Sequence, residues 1–423
     1  MIYKKNNDII GIIGLGYVGL PLAIELSKYY EIVGFDIKKS RIKELSNNYD
    51  ENNQFTKNDL NDAKINCTNS STELKKCNIF IITVPTPILA SKQPDLKPLK
   101  NSSKLVGRFL KKGSIVIYES TVFPGCTEEV CVPILSKISG LIYNKDFFCG
   151  YSPERINFGD DKHTLTNIKK IVSGSNESTS AHVDKIYSRI IKAGTYKTKS
   201  IIVAEAAKVI ENTQRDLNIA LTNEFSMIFN KLNIKSSEVF EAASTKWNFL
   251  KFHPGLVGGH CIGVDPYYLT YKANKIGHYP KLILSGRNIN DQMPKYVFNE
   301  INKIFLKSSD NKKKNILIMG ISFKNNIPDY RNSQAIKLYK LFKKFNNVDI
   351  YDPLVNPNKI FLDEKIKLIK EVKKNFYDSI IIAVNHIKIK KIGLKKIISY
   401  GKKRVLLFDI LDLFNSKLNK WCL

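Results

Sequence analysis

One glycine-rich segment carries the residues of this chain best suited to covalent chemistry, His253-Pro-Gly-Leu-Val-Gly-Gly-His-Cys-Ile-Gly-Val-Asp265. Four glycines lie within nine residues around Cys261, and Gly258 and Gly259 would let the backbone pass close to a ligand. Asp265 follows the cysteine by four residues. A thiol presented in this way is a candidate nucleophile. The alternative is a buried cysteine in a glycine-rich turn, which is the default for a single thiol.

A second motif, G-x-G-x-x-G, lies between an apolar run of strand length and a helical stretch, within a unit that runs from Ile9 to Asp36. The residues of this turn are Gly14, Gly16, Tyr17, Val18 and Gly19. Its glycines permit a tight turn, an approach to a pyrophosphate and close packing of helix on strand. Asp36 ends the next apolar run, where a carboxylate binds the adenosine ribose and favours NAD over NADP. A glycine turn without a ligand is the alternative, and the strand, helix and acid together favour the dinucleotide.

This NAD site decides between the two interpretations of Cys261, because an NAD enzyme with a reactive cysteine can oxidise an aldehyde through a thioester. Near Asp36, three cations could soften the preference for NAD: Lys38, Lys39 and Arg41. Two further loops follow buried strands, where doubly wound sheets contact their ligands. Their residues are Thr83, Pro85 and Thr86 after one strand, and Ser120 and Thr121 after another. Plain turn chemistry explains both loops equally well.

A long helix is predicted over residues 203–232, because apolar residues recur at helical spacing without glycine or proline. At 1.5 Å per residue it would be about 45 Å long, and it is a plausible strut between domains and a plausible homodimer seam. Lys208 and Asn212 share one face of this helix. An ammonium and an amide aimed together could stabilise an oxyanion. Their spacing alone favours an ordinary surface pair.

Apolar runs alternate with helical segments on both sides of this helix, which is typical of parallel sheets. We therefore predict an α/β protein with two Rossmann-like, doubly wound parallel-sheet domains joined by the long central helix. The predicted division is an NAD-binding domain over 1–200, a central helical domain with the cysteine loop over 201–311, and a smaller α/β domain over 312–423 that binds the second ligand.

Composition excludes several other classes of protein. The 67 Lys+Arg outnumber the 39 Asp+Glu, but the lysines are spread in short clusters with no basic tail, so we expect a solvated surface and no nucleic-acid partner. No apolar run is long enough to span a membrane, and the N-terminus lacks a signal peptide, so a cytoplasmic location is expected. The seven cysteines have no paired metal-ligand spacing, so neither a disulfide framework nor a metal site is expected.

Taken together, these motifs resemble the UDP-glucose/GDP-mannose dehydrogenase family, and the resemblance covers nearly the whole chain. Within the family the chain is most similar to bacterial UDP-N-acetylhexosamine 6-dehydrogenases of surface-polysaccharide synthesis, including the Vi-antigen type. The segments that carry the resemblance are IGLGYVGLPLA (13–23), ITVPTPI (82–88), QPDL (93–96), YESTVFPGCTEE (118–129), GYSPERIN (150–157), AEAAKVIENTQRDLNIAL (204–221), PGLVGGHCIGVDPYYL (254–269) and FKNNIPDYR (323–331).

The resemblance implies oxidation of a sugar C6 hydroxymethyl group to a carboxylate with two NAD. Cys261 would form a thiohemiacetal and then a thioester, and Lys208 and Asn212 would hold the oxyanions. Asp265 and Thr121 would position water, and Glu154 would assist hydrolysis as an acid or base. These assignments agree with the interpretation of Cys261 drawn from its own loop.

The resemblance also assigns binding of the substrate, UDP-GlcNAc or UDP-GalNAc. Lys324 and Arg331 would meet the UDP diphosphate, with a surface charge pair as the alternative. Arg155 would recognise a phosphate or acetamido group. Lys208, Asn212, Gly258 and Gly259 would also contact the sugar nucleotide. Two departures from the family pattern are Asn326-Ile327 before Pro328, and Phe158 where relatives have proline.

Two other substrates suit the same chemistry, UDP-glucose and UDP-ManNAc. A protein of another class, a basic nucleotide- or nucleic-acid-binding protein without catalysis, would be expected to have a damaged glycine turn or no nucleophile. This chain retains both features.

Overall fold

The structure is a computed structural model that describes residues 8–52, 54–156, 164–259, 262–307 and 313–423. Two compact units form. One contains the chain up to Glu211 together with Tyr267–Ile276, and the other contains Asn212–Pro266 and Gly277–Leu423. Each unit is built on its own sheet.

The described part of the first unit contains a sheet of eight strands in the order β3-β2-β1-β4-β5-β6-β7-β8. These strands are β1 (Ile9–Ile13), β2 (Glu31–Phe35), β3 (Ile65–Thr68), β4 (Ile79–Ile82), β5 (Ser114–Tyr118), β6 (Phe147–Tyr151), β7 (Lys170–Gly174) and β8 (Thr195–Lys197). In the centre, Ile12 pairs with Ile81 and Ile81 with Ile117. All three side chains are fully buried, which is why the central strands consist of continuous apolar runs.

Helices lie between most consecutive strands of this sheet and provide the crossover connections that parallel pairing requires. They are α1 (Gly19–Leu26), α2 (Lys39–Ser46), α3 (Lys57–Asp62), α4 (Lys97–Gly107), α5 (Val132–Ser139) and α6 (Glu177–Ser188), with shorter helical turns at Ser71–Lys76, Thr127–Cys131 and Leu165–Asn167. One pair of strands departs from the parallel prediction. β6 and β7 are antiparallel. They are joined by residues 152–169, part of which lies outside the described residues, and no helix of α/β crossover length is described there.

The second unit contains a sheet of four parallel strands in the order β10-β9-β11-β12. These are β9 (Asn315–Met319), β10 (Asn347–Tyr351), β11 (Tyr377–Ile382) and β12 (Gly401–Asp409). Its helices outside the central region are α11 (Gln334–Lys343), α12 (Pro357–Glu364), α13 (Ile387–Ile392) and α14 (Leu394–Ile398). The prediction of a second, smaller α/β unit is confirmed.

The predicted long helix is α7 (Ile201–Leu232), which begins in the first unit and continues into the second. The remaining helices of this central stretch are α8 (Ser236–Ala243), α9 (Asp265–Lys275) and α10 (Lys281–Lys307). The fold class predicted from the sequence, two doubly wound α/β sheets with a long helix between them in the chain, is confirmed. Across the described ranges, no helix is both long and apolar enough to cross a membrane.

Candidate active site

The glycine turn after β1 has the geometry that a dinucleotide needs. Gly14 adopts φ +100°, a conformation that favours glycine, and donates its N–H to the Phe35 carbonyl at 2.8 Å. A Cβ on Gly19 would stand 1.8 Å from the Gly14 carbonyl oxygen, so α1 can approach β1 only because this residue is glycine. A Cβ on Gly16 would meet no atom within 4 Å. The backbone at Gly16 therefore faces open space, where a pyrophosphate would fit at the start of α1.

Asp36 is half-buried at the end of β2, beside this turn. One carboxylate oxygen accepts the Leu15 N–H at 2.9 Å, and the other accepts the Lys38 N–H at 2.9 Å. Each carboxylate oxygen can accept a second hydrogen bond. The carboxylate is thus fixed in orientation and keeps acceptor capacity for a ribose diol.

Arg41 lies beneath the turn rather than in solvent. It is 7% exposed, and its Nε donates to the Leu15 carbonyl at 2.9 Å. Its guanidinium also forms ion pairs with Asp50 at 2.9 Å and Glu44 at 3.2 Å. The positive charge of Arg41 is therefore balanced by two carboxylates of the protein. Its hydrogen bond to Leu15 stabilises the glycine turn. On the other side, Tyr17 receives a hydrogen bond at its carbonyl from Gln54, and Val18 immediately precedes α1.

The loops after β4 and β5 lie beside the turn. The Thr83 hydroxyl donates to the Gly14 carbonyl at 2.7 Å, so this side chain holds the glycine turn itself. The Ser120 hydroxyl donates to the Val84 carbonyl at 2.7 Å and ties the two loops together. Thr86 and Thr121 are half-buried and Pro85 is exposed.

On α7, Lys208 is 6% exposed and Asn212 is 2% exposed. The surface interpretation that their spacing favoured is therefore wrong. The Asn212 amide donates to the Asp265 carboxylate at 2.5 Å, across 53 residues of sequence. Asp265 is the first residue of α9 and is itself buried. Because an amide nitrogen carries two N–H groups, this hydrogen bond orients Asn212 and leaves its second N–H to donate elsewhere.

Glu154 follows β6 and is buried. One of its carboxylate oxygens accepts the Ile156 N–H, and the other is buried without a hydrogen-bond partner among the described residues. Its neighbour Arg155 forms an ion pair with Glu211 of α7 at 3.0 Å and donates to the Lys169 carbonyl at 3.3 Å. The structure thus commits much of the Arg155 guanidinium to protein contacts.

The cysteine loop is described as far as Gly259 and again from Ile262, so Cys261 lies outside the described residues. A Cβ on Gly258 would stand 2.7 Å from the Asn332 carbonyl oxygen, and a Cβ on Gly259 would stand 2.5 Å from the Phe323 ring. Gly259 also has φ +89°. These two glycines allow the loop to pass close to residues 323–333 of the same unit, a protein contact that the sequence interpretation did not include.

Residues 323–333 also carry the two cations assigned to a diphosphate. Lys324 is exposed, and Arg331 pairs with Asp329, with its NH2 group 2.6 Å from the carboxylate. Asn326, one of the departures from the family pattern, adopts φ +62°, which asparagine tolerates. Its side chain accepts the Ile387 N–H at 2.7 Å, so the loop accommodates this residue well. Phe158 lies outside the described residues.

Sequence reasoning missed two sets of buried polar residues. Glu205 of α7 accepts the N–H groups of Gly125 at 2.5 Å and Thr127 at 2.9 Å, and burial raises its pKa to about 7. It thereby holds the loop that follows Thr121. Glu205 lies on the side of α7 opposite the exposed apolar residues Val203 and Ile210, and the sequence pattern of the helix gave no signal that this side is buried.

The second set holds the start of the cysteine loop. The Asn223 amide oxygen accepts the Gly255 N–H at 2.8 Å, and its nitrogen donates to the Gly255 carbonyl at 3.1 Å. The same nitrogen donates to Asn290 of α10 at 2.8 Å, and Asn290 donates to the Asp216 carboxylate at 2.8 Å. Arg287 completes the network by an ion pair with Asp216 at 2.5 Å. The loop therefore begins from a rigid point on two helices.

Comparison with known proteins places this geometry in a family. Models of the UDP-glucose/GDP-mannose dehydrogenase family match the chain over its NAD binding domain (residues 8–191), its central domain (202–292) and its UDP binding domain (317–416). The chain belongs to this family of NAD-dependent UDP-sugar dehydrogenases.

The chain is 54% identical to the UDP-N-acetyl-D-glucosamine 6-dehydrogenase of Salmonella typhi over 404 residues, covering 95% of each chain. It is 50% identical to the enzyme of the same name from Pseudomonas aeruginosa over 406 residues, covering 95% of this chain and 96% of the relative. Among solved structures, it resembles the UDP-D-ManNAc dehydrogenase of Pyrococcus horikoshii with a TM-score of 0.85 and 30% identity, covering 94% of each chain.

The glycine turn yields a direct test. Gly16→Ala should fold normally, because its methyl group meets no protein atom, yet it should weaken NAD binding about tenfold or more by occupying the space of the pyrophosphate. Calorimetric NAD titration and the midpoint of thermal unfolding would measure the two effects. Gly19→Ala is the matched control and should lower the melting temperature, since its Cβ would overlap the Gly14 carbonyl. Unchanged NAD affinity in Gly16→Ala would contradict the assigned position of the pyrophosphate.

Proposed function

We propose that this chain oxidises a UDP-N-acetylhexosamine, UDP-GlcNAc or UDP-GalNAc, at C6 to the corresponding uronic acid, for surface-polysaccharide synthesis. The observation that carries the proposal is the buried hydrogen bond between Asn212 and Asp265, with Lys208 one helical turn before Asn212. It brings together two residues of the assigned chemistry that are distant in sequence. The names of the two relatives at 54% and 50% identity support the N-acetylated substrate.

The overall reaction balances with one water. The C6 hydroxymethyl group and water give a carboxylate, two hydrides and three protons. The Gly14–Gly19 turn would hold NAD, which would supply the hydride acceptor for both oxidation steps. Between those steps the Cys261 thiolate adds to the C6 aldehyde and forms a carbon–sulfur bond. After the second oxidation water attacks the thioester carbon, the carbon–sulfur bond breaks and the thiolate is released.

The residues of the chain supply charge and orientation to these steps. Lys208 and the second N–H of Asn212 are assigned to the oxyanions on C6, a role that buried, preorganised donors perform well. Asp265 orients the Asn212 amide and, with Thr121, is assigned to hold the attacking water. Glu154, with one buried carboxylate oxygen unpartnered among the described residues, is assigned to proton transfer in hydrolysis.

Lys324 and Arg331 are assigned to the UDP diphosphate. The exposed ammonium of Lys324 suits a diphosphate, and Arg331 would exchange or share its pairing with Asp329 when a phosphate arrives. We propose that the chain has three domains, over residues 1–200, 201–311 and 312–423. In this proposal Arg155, Gly258 and Gly259 contact the sugar nucleotide. The proposed location is the cytoplasm.

We further propose that a second copy of the chain packs along α7. Four apolar residues lie within about 20° of one another around this helix at 100° per residue. They are Val203, Ile210, Leu221 and Ile228, each between 47% and 56% exposed. An exposed apolar stripe along a 32-residue helix is typical of an association surface between like helices.

The substrate is tested by following NADH formation with NAD and UDP-GlcNAc, UDP-GalNAc, UDP-glucose or UDP-ManNAc. We expect one N-acetylated hexosamine of the first two to be oxidised, with two NADH formed for each sugar and a uronic acid identified by mass spectrometry. Preferred oxidation of UDP-glucose or UDP-ManNAc would overturn the substrate assignment. NAD binding without oxidation of any of the four would count against the proposed reaction.

The role of Cys261 is tested by Cys261→Ala. The variant should bind NAD with unchanged affinity and form no net uronic acid, because no thioester can form. Cys422→Ala is a suitable control, since this cysteine lies outside the assigned chemistry and should leave the rate unchanged. Wild-type production of uronic acid by Cys261→Ala would exclude the thioester route.

The association surface is tested by Ile210→Asp and measured by sedimentation velocity. The carboxylate would have to be desolvated in the middle of the stripe, so the variant should sediment as a monomer under conditions where the wild type is a dimer. Ile202→Asp makes the same change on another side of the helix, where Ile202 is also exposed, and should remain dimeric. A monomeric wild type, or a dimeric Ile210→Asp, would disprove the α7 seam.

A further inference from the structure

Lys170, Glu119 and Tyr187 form a buried ionic cluster next to Glu154 that has no assigned role in the reaction proposed above. Lys170, the first residue of β7, is 3% exposed and forms an ion pair with Glu119 at 2.9 Å. Glu119 is 1% exposed, and its other carboxylate oxygen accepts the hydroxyl of the fully buried Tyr187. The Lys170 ammonium also lies 4.9 Å from the centre of the Tyr187 ring. All three side chains are removed from water.

The Lys170 ammonium reaches two loops at once. Besides Glu119, it donates to the Pro153 carbonyl at 3.2 Å and to the Ser152 carbonyl at 3.5 Å. An ammonium has three N–H donors, and these three acceptors use all of them. Pro153 immediately precedes Glu154, and Glu119 is two residues before Thr121.

Ser152 also holds the loop after β6 in place through two further hydrogen bonds. The Ser152 N–H donates to the Tyr118 carbonyl at 2.9 Å, and the Ser152 hydroxyl donates to the Ile171 carbonyl at 2.7 Å. The loop after β6 is thereby fastened to β5 on one side and to β7 on the other. Glu154 and Lys170 also line one small cavity, together with Arg155 and Ile156.

Stability alone does not account for a buried ion pair in this place. Desolvation of two charges commonly offsets their attraction, and apolar residues of similar volume often stabilise a protein as well or better. Burial raises the pKa of Glu119, while the charge of Lys170 lowers it and that of Glu154 raises it further. The carboxylate of Glu154 is therefore close enough to interact electrostatically with Glu119. What the cluster adds beyond stability is the fixed position of the Ser152 and Pro153 carbonyl groups relative to Glu119.

We propose that Lys170 is a positioning residue that staples the Ser152–Pro153 backbone to Glu119 and thereby sets the placement of Glu154 relative to Thr121. The inference rests on the proposed function, in which both residues serve thioester hydrolysis. The Lys170 staple holds the two loops at the spacing that hydrolysis needs, and its loss slows that step while cofactor binding is retained.

The decisive variants are Lys170→Met, Lys170→Arg and the double variant Glu119→Gln/Lys170→Met. Lys170→Met removes the donors and also leaves Glu119 as a buried, uncompensated carboxylate. The double variant removes the donors without that charge. Lys170→Arg keeps a cation with donors. Lys76→Met is the control, because Lys76 forms an exposed ion pair with Glu31 at 3.0 Å.

We expect kcat to fall about tenfold or more in both Lys170→Met and the double variant, with the NAD dissociation constant changed less than about threefold. The substrate KM should fall together with kcat, because the acyl enzyme accumulates when its hydrolysis is limiting. Lys170→Arg should recover a large part of kcat. When hydrolysis becomes limiting, a burst of two NADH per active site should precede the slow phase, and intact-protein mass spectrometry should show the acyl adduct. Recovery of the wild-type rate by the double variant would mean that only the buried charge mattered, and would overturn the staple.

Hydrogen–deuterium exchange provides a measurement that does not depend on turnover. The Ile156 amide donates to Glu154, so its exchange should become faster in Lys170→Met and in the double variant, and not in Lys76→Met. Unchanged exchange at Ile156 would overturn the staple whatever the enzyme oxidises. Failure of the wild type to form a uronic acid, together with faster exchange in the variants, would overturn the proposed function alone.

Discussion

The close approach of α1 to the end of β1 is the constraint on which the NAD-binding half depends. Any side chain at residue 19 would collide with the Gly14 carbonyl, so the helix can start only where it does because glycine occupies that position. The turn is then fixed from three directions, by the Thr83 hydroxyl, the Asp36 carboxylate and the Arg41 guanidinium. Each of these groups satisfies a backbone group of the turn that would otherwise be buried without a partner. The start of α1 is consequently rigid and open at Gly16.

The second unit has a similar glycine turn after its first strand, β9, but the carboxylate beside this turn is buried. Gly320 has φ +89° and donates to the Tyr351 carbonyl at 2.9 Å, as Gly14 does to Phe35. Asp352 accepts the Ile321 N–H at 2.7 Å, as Asp36 accepts that of Leu15. Asp352, however, is buried against the fully buried His386 at 3.2 Å, which keeps its pKa below the usual value although burial opposes this. The carboxylate that remains half-exposed in the first unit is thus closed off in the second, where Lys324, the cation we propose for the diphosphate, is exposed.

The sequence was most informative about local structure, where a residue type or its spacing limits the backbone conformation. The strands, the glycine turn and α7 were predictable because apolar periodicity and glycine placement report local structure directly. The antiparallel pairing of β6 with β7 was not, since the intervening chain gave no signal of its direction. Nor could spacing place Lys208 and Asn212 in the interior, because an amphipathic pattern does not distinguish a solvated polar face from one that meets another element.

The interior polar residues form the part of the site that sequence reasoning reached least. Glu205, Asp216 and Asn223 lie on one side of α7, and each partners a group far away in sequence. Such pairs depend on how elements pack, and one sequence contains no record of that. The energetic reason is nonetheless simple: a buried polar group without a partner costs about 1–3 kcal/mol, so a partner stabilises each of these residues in the interior. A buried polar residue of a long helix therefore requires a distant partner. For Glu205 and Asn223 that partner is the backbone of a loop that carries assigned residues, and for Asp216 it is the side chains of Asn290 and Arg287.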